Sequence, residues 1–155
     1  MSIPGYVDIQ INGYHNVDFS DPELTESDFL RTAERIFESG TYLFLPTVIT
    51  GSEEVYLRNI KLMHDAVVKN GLEKQIPGIH WEGPFLSDQP GAVGCHNPAY
   101  IRKPDCRFLD KIMDHTGGFI KLMTVAAENE GVEELIRHAV SLGITVGCGH
   151  QLANY

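Results

Sequence analysis

The sequence is poor in several features that would assign it to common classes of protein. It has only three cysteines, Cys95, Cys106 and Cys148, and none has the CxxC spacing of a zinc ribbon. This odd, scattered set predicts reduced thiols in the cytoplasm, not a disulfide framework. No apolar run is long enough to span a bilayer, and no basic-apolar-small pattern opens the chain. Neither a membrane partner nor a signal peptide is therefore predicted.

Positive charge is also scarce. The 155 residues include 12 Lys and Arg against 21 Asp and Glu, for a formal net charge of -9. A nucleic-acid partner would need a basic stripe to neutralise phosphates, so that class of function is excluded. The hydrophobic fraction of 43% suits one globular unit with a sizeable core. A small anionic ligand stays possible, because one local pocket can hold it.

What the sequence does contain is a regular alternation of strand and helix patterns. Strands are predicted at Tyr6–Asn12, Tyr42–Ile49, Ile76–Trp81, Phe119–Val125 and Ile144–Gly149. Four helical patterns lie between these strands. Two cover about residues 27–38 and 131–142. The other two follow predicted N-caps, one at Ser52, with its helix ending near residue 71, and one at Asp105. The order βαβαβαβαβ predicts an α/β fold whose parallel neighbours are joined by right-handed crossovers.

Polar residues inside the strands favour a barrel over an open doubly wound sheet. Asp8, Gln10 and Asn12 share one face of the first strand, and His80 and Glu82 share one face of the third. An open sheet would press these groups against helices, where burial costs about 1–3 kcal/mol for each unpaired group. A barrel lumen gives them a shared interior. An eight-stranded barrel needs about 200–250 residues, so residues 1–155 are expected to form the N-terminal portion of a (β/α)8 TIM-type barrel.

The most informative residues lie where two predicted strands end. Gly83-Pro84 must end the third strand directly after Glu82, and His150 follows the fifth strand. In barrels the carboxyl ends of the strands form the rim that holds the chemistry. A carboxylate and an imidazole at one rim are two ligands of a possible metal site. The plainer alternatives are a structural ion pair for Glu82 and a hydrogen-bonded core histidine for His150.

Five short motifs in order resemble those of a known enzyme family. They are Pro4–Gly13, Leu45–Thr50, His80–Phe85, Gly94–Pro98 and Gly149–His150. Together they resemble the N-acetylglucosamine-6-phosphate deacetylases of the amidohydrolase superfamily. The resemblance implies a (β/α)8 barrel flanked by a small β-sandwich. This chain would then hold the first barrel strands, without the sandwich and without the last barrel strands.

The same resemblance implies roles for individual residues. Glu82 and His150 would bind one divalent metal ion, zinc being the expected one, and Cys95 and His96 would contact the sugar. A third ligand and the general-base aspartate would lie beyond Tyr155, so no catalytic residue is expected within this chain and the chain alone is expected to be inactive. A plain surface loop is the alternative for Cys95 and His96.

Further residues bear on how many metal ions are bound. Many relatives carry a His-x-His pair on the first strand and bind two metals, whereas Gln10 and Asn12 are neutral amides and poor zinc ligands. One metal is therefore expected, with Gln10, Asn12 and His80 lying just behind its ligands. A carboxylated Lys121, which bridges metals in some relatives, is the less favoured alternative.

The function implied is hydrolysis of the N-acetyl group of N-acetylglucosamine 6-phosphate, which yields glucosamine 6-phosphate and acetate in the cytoplasm. Val93, Ala127 and Gln151 depart from the usual family pattern at the substrate rim, which weakens the assignment of the exact sugar. Two alternatives stay open: a non-catalytic relative that binds a sugar phosphate, and an amidohydrolase for a different amide. Unpaired edges on the first and fifth strands predict a homo-oligomer.

Overall fold

The strands of the computed structural model, which describes residues 5–153, form one five-stranded parallel sheet and one small hairpin. In chain order they are β1 (Tyr6–Ile11), β2 (Gly13–Tyr14), β3 (Val17–Asp18), β4 (Thr41–Ile49), β5 (Ile79–Glu82), β6 (Ile120–Val125) and β7 (Thr145–Cys148). The short β2 and β3 pair with each other in antiparallel fashion, whereas the other five strands are parallel.

The helices lie between the parallel strands as the sequence predicts. They are α1 (Glu26–Glu38), α2 (Glu53–Val55), α3 (Lys61–Asn70), α4 (Cys106–His115) and α5 (Val132–Ser141). A π-helical turn, Tyr56–Ile60, joins α2 to α3. The predicted N-caps are confirmed: the Ser52 hydroxyl accepts from the backbone N–H of Val55, and the Asp105 carboxylate accepts from those of Arg107 and Phe108. α1 begins slightly earlier than predicted because Thr25 is its N-cap.

The order of the strands in the sheet decides between the two α/β architectures. The sheet runs β1-β4-β5-β6-β7, which is the order of these strands along the chain. A doubly wound sheet reverses its strand order at a switch point, where ligands bind. No reversal occurs here, so the strands curl in one direction as part of a barrel. The predicted fold class, a partial (β/α)8 barrel of five parallel strands, is confirmed.

The core lies between the outer face of the sheet and the helices. Trp81 is completely buried and packs edge-on against Tyr56 and Phe85, with ring centroids 5.2 and 5.6 Å apart. Because side chains alternate along a strand, Trp81 faces the helices while His80 and Glu82 face the opposite side. Among the described residues, no helix combines the length and apolarity needed to cross a bilayer.

Candidate metal centre

Glu82 is the last residue of β5 and lies at the carboxyl edge of the sheet. Its register partners are Ile49 on β4 and Thr124 on β6, and it is only 7% exposed. The chain leaves the strand through Gly83, whose φ is +101° and whose Cβ, if present, would lie 2.1 Å from the Thr50 hydroxyl oxygen. Only glycine therefore fits here, and the tight exit keeps the Glu82 carboxylate at the rim.

His150 follows β7 by two residues and reaches the same point. Its Nε2 lies 3.1 Å from Glu82 Oε1. Its Nδ1 donates to the carbonyl oxygen of Ala92 over 2.9 Å, and its own carbonyl accepts from the Ser87 N–H over 3.0 Å. The structure thus brings together the two side chains that the sequence expects to meet. Their assignment as metal ligands is taken up under Proposed function.

His96 is the third member of the cluster. It comes from the loop after β5, is buried, and places Nε2 3.2 Å from His150 Nε2. Its other nitrogen, Nδ1, lies 2.9 Å from the Thr50 hydroxyl and 3.4 Å from the Thr50 backbone nitrogen. Ligand atoms of Glu82, His96 and His150 all lie within 4.8 Å of one another. The sequence places His96 in a substrate loop and does not anticipate this contact.

The chemistry of this cluster suits a cation. The carbonyl of Ala92 can only accept, so His150 carries a hydrogen on Nδ1. Its Nε2 then presents a lone pair toward a carboxylate oxygen, and a proton or a metal cation must lie between these two acceptors. A histidine whose outer nitrogen donates to a backbone carbonyl is the usual arrangement for a metal ligand. Imidazole nitrogen and carboxylate oxygen are both ligands that zinc accepts.

The electrostatics favour an uncharged His96 at neutral pH. Burial lowers the pKa of His96, the neighbouring His150 lowers it further, and Glu82 acts in the opposite direction. Burial likewise lowers the pKa of His80, against the opposing effect of Glu82. An uncharged imidazole keeps one lone pair and one N–H, so His96 can either accept or donate at the cluster.

His80 lies one step inward from Glu82 on the same face. Its Nε2 is 2.7 Å from the Thr124 hydroxyl and its Nδ1 is 3.4 Å from the Thr47 hydroxyl, so it links β4, β5 and β6. Such a place is consistent with the predicted position behind the ligands. It contributes no atom to the cluster of Glu82, His96 and His150.

The other predicted site residues lie in less enclosed places. Gln10, Asn12 and Cys95 are exposed, and within residues 5–153 the side chains of Gln10 and Asn12 form no hydrogen bond. Their predicted roles remain predictions. Lys121 is exposed near the amino end of β6, where its Nζ approaches the Gly118 carbonyl, so it lies at the wrong end of the strand to bridge metals at the rim.

Several residues that sequence reasoning missed shape the cluster. Thr50 and Gly94 both fall inside recognised motifs, which is the only signal that could have pointed to them. Ala92 acts through its backbone carbonyl, which no side-chain pattern reveals. Two departures from the family pattern also meet in space, because the Ala127 N–H donates to Gln151 Oε1 over 3.0 Å.

Comparisons with known proteins agree with this architecture. The chain is 35% identical to the N-acetylglucosamine-6-phosphate deacetylase of Bos taurus and covers 37% of that protein with 97% of its own length. It is 34% identical to the corresponding Bacillus subtilis enzyme, with 96% of this chain and 37% of the relative covered. No family model matches the chain.

Solved structures give the same result. The Mycobacterium smegmatis deacetylase, solved as a variant in complex with N-acetyl-D-glucosamine-6-phosphate, superposes with a TM-score of 0.88 at 29% identity, over 99% of this chain and 38% of that one. The Pasteurella multocida enzyme gives a TM-score of 0.83 at 31% identity, over 97% of this chain and 38% of that one. Over almost its whole length the chain therefore resembles the N-acetylglucosamine-6-phosphate deacetylases, and it spans a little over a third of the length of the proteins it matches.

Proposed function

We propose that this chain supplies Glu82 and His150 as ligands of one divalent metal ion, with zinc the expected ion. We further propose that the protein hydrolyses the N-acetyl group of N-acetylglucosamine 6-phosphate in the cytoplasm. The observation that carries this proposal is the 3.1 Å approach of His150 Nε2 to Glu82 Oε1 at the rim of two strands. Two ligands are fewer than the three that a catalytic zinc takes from protein, so a further ligand is expected from outside residues 1–155.

When bound, the metal would supply Lewis-acid activation of water and of the amide carbonyl. The residues of this chain would prepare the site for it. Glu82 would hold negative charge at the rim, and the carbonyl of Ala92 would keep the Nε2 lone pair of His150 directed inward. The general base is expected outside this chain, as is the group that returns a proton to the departing amine.

His96 is assigned to the substrate and not to the metal, because of its contacts with Thr50. The backbone N–H of Thr50 can only donate, and it points to His96 Nδ1. An accepting Nδ1 leaves the hydrogen of the uncharged ring on Nε2, which faces the cluster. In that tautomer His96 donates to an oxygen placed there, such as an acyl oxygen of the substrate. Cys95 is exposed beside it and would contact the sugar.

The names of the relatives support the proposed substrate class. The relatives are named as deacetylases of N-acetylglucosamine 6-phosphate, and the Mycobacterium smegmatis structure contains that sugar phosphate. The cluster would suit an amide substrate, because Glu82 and His150 would hold a cation and His96 would offer an N–H donor on the same side of the site, where charge develops on the acyl oxygen.

The test measures metal content and acetate release by the complete gene product that carries this sequence. Glu82→Gln replaces a ligand carboxylate by an amide of the same shape. We expect it to lower zinc affinity by at least about 100-fold, the upper range seen when only an outer hydrogen-bond partner is removed, and to abolish acetate release. Glu128→Gln is the matched control, because Glu128 is an exposed acid near the rim whose Oε1 accepts from the Leu152 N–H, and it lies outside the cluster.

Each outcome has a definite consequence. Unchanged zinc content in Glu82→Gln would refute the assignment of the ligand. Stable zinc binding without acetate release from any N-acetylated amino-sugar phosphate would favour the non-catalytic alternative. Release from a different amide only would keep the hydrolase and change the substrate.

A further inference from the structure

One loop makes several contacts with the single residue His150. The Ser87 N–H donates to the His150 carbonyl over 3.0 Å, and the Ala92 carbonyl accepts from His150 Nδ1 over 2.9 Å. His96 meets the same ring, edge to face, with centroids 4.3 Å apart. The backbone of His150 itself has a φ of +50°, a conformation that is uncommon for residues other than glycine. The loop therefore determines how this ring is held.

Gly94 forms the remaining wall around the ring. Its φ is +58°, and a Cβ built there would lie 3.0 Å from His150 Cε1 and 3.2 Å from Nδ1. Contacts this short are uncommon for a real Cβ, so a methyl group here would push the ring away by a few tenths of an ångström. The ring therefore packs directly against the glycine backbone. Gly91 lies in the same loop with a φ of +91°, but a Cβ there would meet nothing within 4 Å. The two glycines share the unusual backbone and differ in their contact with His150.

We infer that the carbonyl of Ala92 and the bare backbone of Gly94 together form a seat that orients His150 toward the metal. The inference rests on the proposed metal site. Gly94 is on this view a positioning residue, which acts on the metal through the ring it supports. The carbonyl sets which nitrogen carries the hydrogen, and the missing Cβ lets the ring lie close enough to use that carbonyl. Outer contacts of this kind tune metal affinity in other metalloproteins.

The experiment compares Gly94→Ala with Gly91→Ala in the complete gene product, using Co²⁺ as the metal probe. Both changes impose the same kind of backbone strain, but only Gly94→Ala places a methyl group against the ring. We expect Gly94→Ala to weaken Co²⁺ binding by about 10-fold or more, and Gly91→Ala to bind as the wild type does. Affinity is read from the visible absorption of bound Co²⁺, and circular dichroism shows whether each variant is folded.

A second measurement tests, without any variant, whether the Ala92 carbonyl and the Gly94 backbone orient His150. Nitrogen-15 chemical shifts of the histidine rings in wild-type protein at alkaline pH report which nitrogen of each ring carries the hydrogen. The seat requires the hydrogen on Nδ1 of His150. A hydrogen on Nε2 instead, or equal Co²⁺ affinities for two folded glycine variants, would overturn the inference. Failure of the wild type to bind Co²⁺ would refute the metal site alone, and the ring tautomer would still decide whether the seat exists.

Discussion

At the scale of single residues, the candidate centre depends on backbone atoms as much as on side chains. Gly83 lets the Thr50 hydroxyl approach the exit of β5, and that hydroxyl in turn contacts His96 Nδ1. The Ala92 carbonyl holds the ring of His150. A substitution at Thr50 or Gly83 would therefore disturb the cluster without removing Glu82, His96 or His150.

Cysteine reactivity tests the burial of individual side chains. Burial raises the pKa of the Cys106 thiol, and the acids Glu134, Asp110 and Asp105 raise it further. Cys95 and Cys148 are exposed. Because the thiolate is the reactive form, we expect iodoacetamide near pH 8, just below the usual thiol pKa of about 8.5, to modify Cys95 and Cys148 before Cys106. Peptide mass spectrometry measures the order, and urea-unfolded protein, in which the three rates should converge, is the control.

At the scale of elements, the π-helical connection between α2 and α3 is a feature that the periodic pattern of apolar residues does not predict. The π-helical turn Tyr56–Ile60 carries Asn59, which is completely buried. The Asn59 amide donates to the carbonyls of Phe19 and Asp21, over 3.0 and 2.8 Å. Asn59 thus links the segment between α2 and α3 to the residues that follow the β2–β3 hairpin.

Removing that amide is expected to cost stability. Asn59→Leu removes the donor of the buried Phe19 carbonyl and one of the two donors of the Asp21 carbonyl, which keeps the Leu24 N–H. We expect this to lower the free energy of unfolding by about 1–3 kcal/mol. Urea denaturation monitored by circular dichroism measures the change. Asn70→Leu is the control, because Asn70 is exposed and donates only to the Ala66 carbonyl near the end of α3. Equal losses for the two variants would contradict the assigned role of Asn59.

The N-cap of α4 offers a smaller and independent test. The Asp105 carboxylate accepts from the backbone N–H groups of Arg107 and Phe108, over 2.9 and 3.2 Å. We expect Asp105→Ala to lower the free energy of unfolding by about 1 kcal/mol. Asp114→Ala, an exposed acid near the other end of α4, should not destabilise the protein, because a negative charge at a helix C-terminus opposes the helix dipole. A loss in Asp114→Ala as large as that in Asp105→Ala would argue against the cap.

At the scale of the whole molecule, the two outer strands determine how the sheet meets other chains. β1 and β7 are the edges of the five-stranded sheet. On β1 the side chains of Tyr6, Val7 and Ile9 are 75%, 62% and 57% exposed. An exposed apolar edge with free backbone groups is a template for pairing with another chain. Self-association, which the sequence predicts, remains a prediction and has its physical basis here.

A charge placed on this edge should weaken self-association. We expect 155-residue chains carrying Ile9→Lys to show a smaller weight-average mass than wild type at the same concentration, because lysine on an edge strand opposes pairing. Multi-angle light scattering measures the mass. Val68→Lys is the matched control, since Val68 is a 50% exposed valine on α3, away from the sheet edge. A wild-type chain that stays monomeric at high concentration would refute the prediction.

The sequence by itself determined the elements of this protein and the order in which they occur. Strand alternation, helical stripes, and the caps at Ser52 and Asp105 are local patterns, so they can be recognised without knowing what packs against them. The polar residues at strand ends, Glu82 and His150, could also be placed at one rim, because parallel strands in a barrel end on the same side. The β2–β3 pair was missed because strands of two residues carry no periodicity.

Only the tertiary structure decided which atoms meet at that rim. His96 lies 54 residues from His150 along the chain, and Ala92 lies 58 residues from it, yet both contact its ring. Such contacts depend on how a loop folds back across the sheet edge, which is set by positive φ angles at Gly94 and His150 and by a backbone carbonyl. These features leave no side-chain pattern in the sequence, because they arise from the path of the backbone.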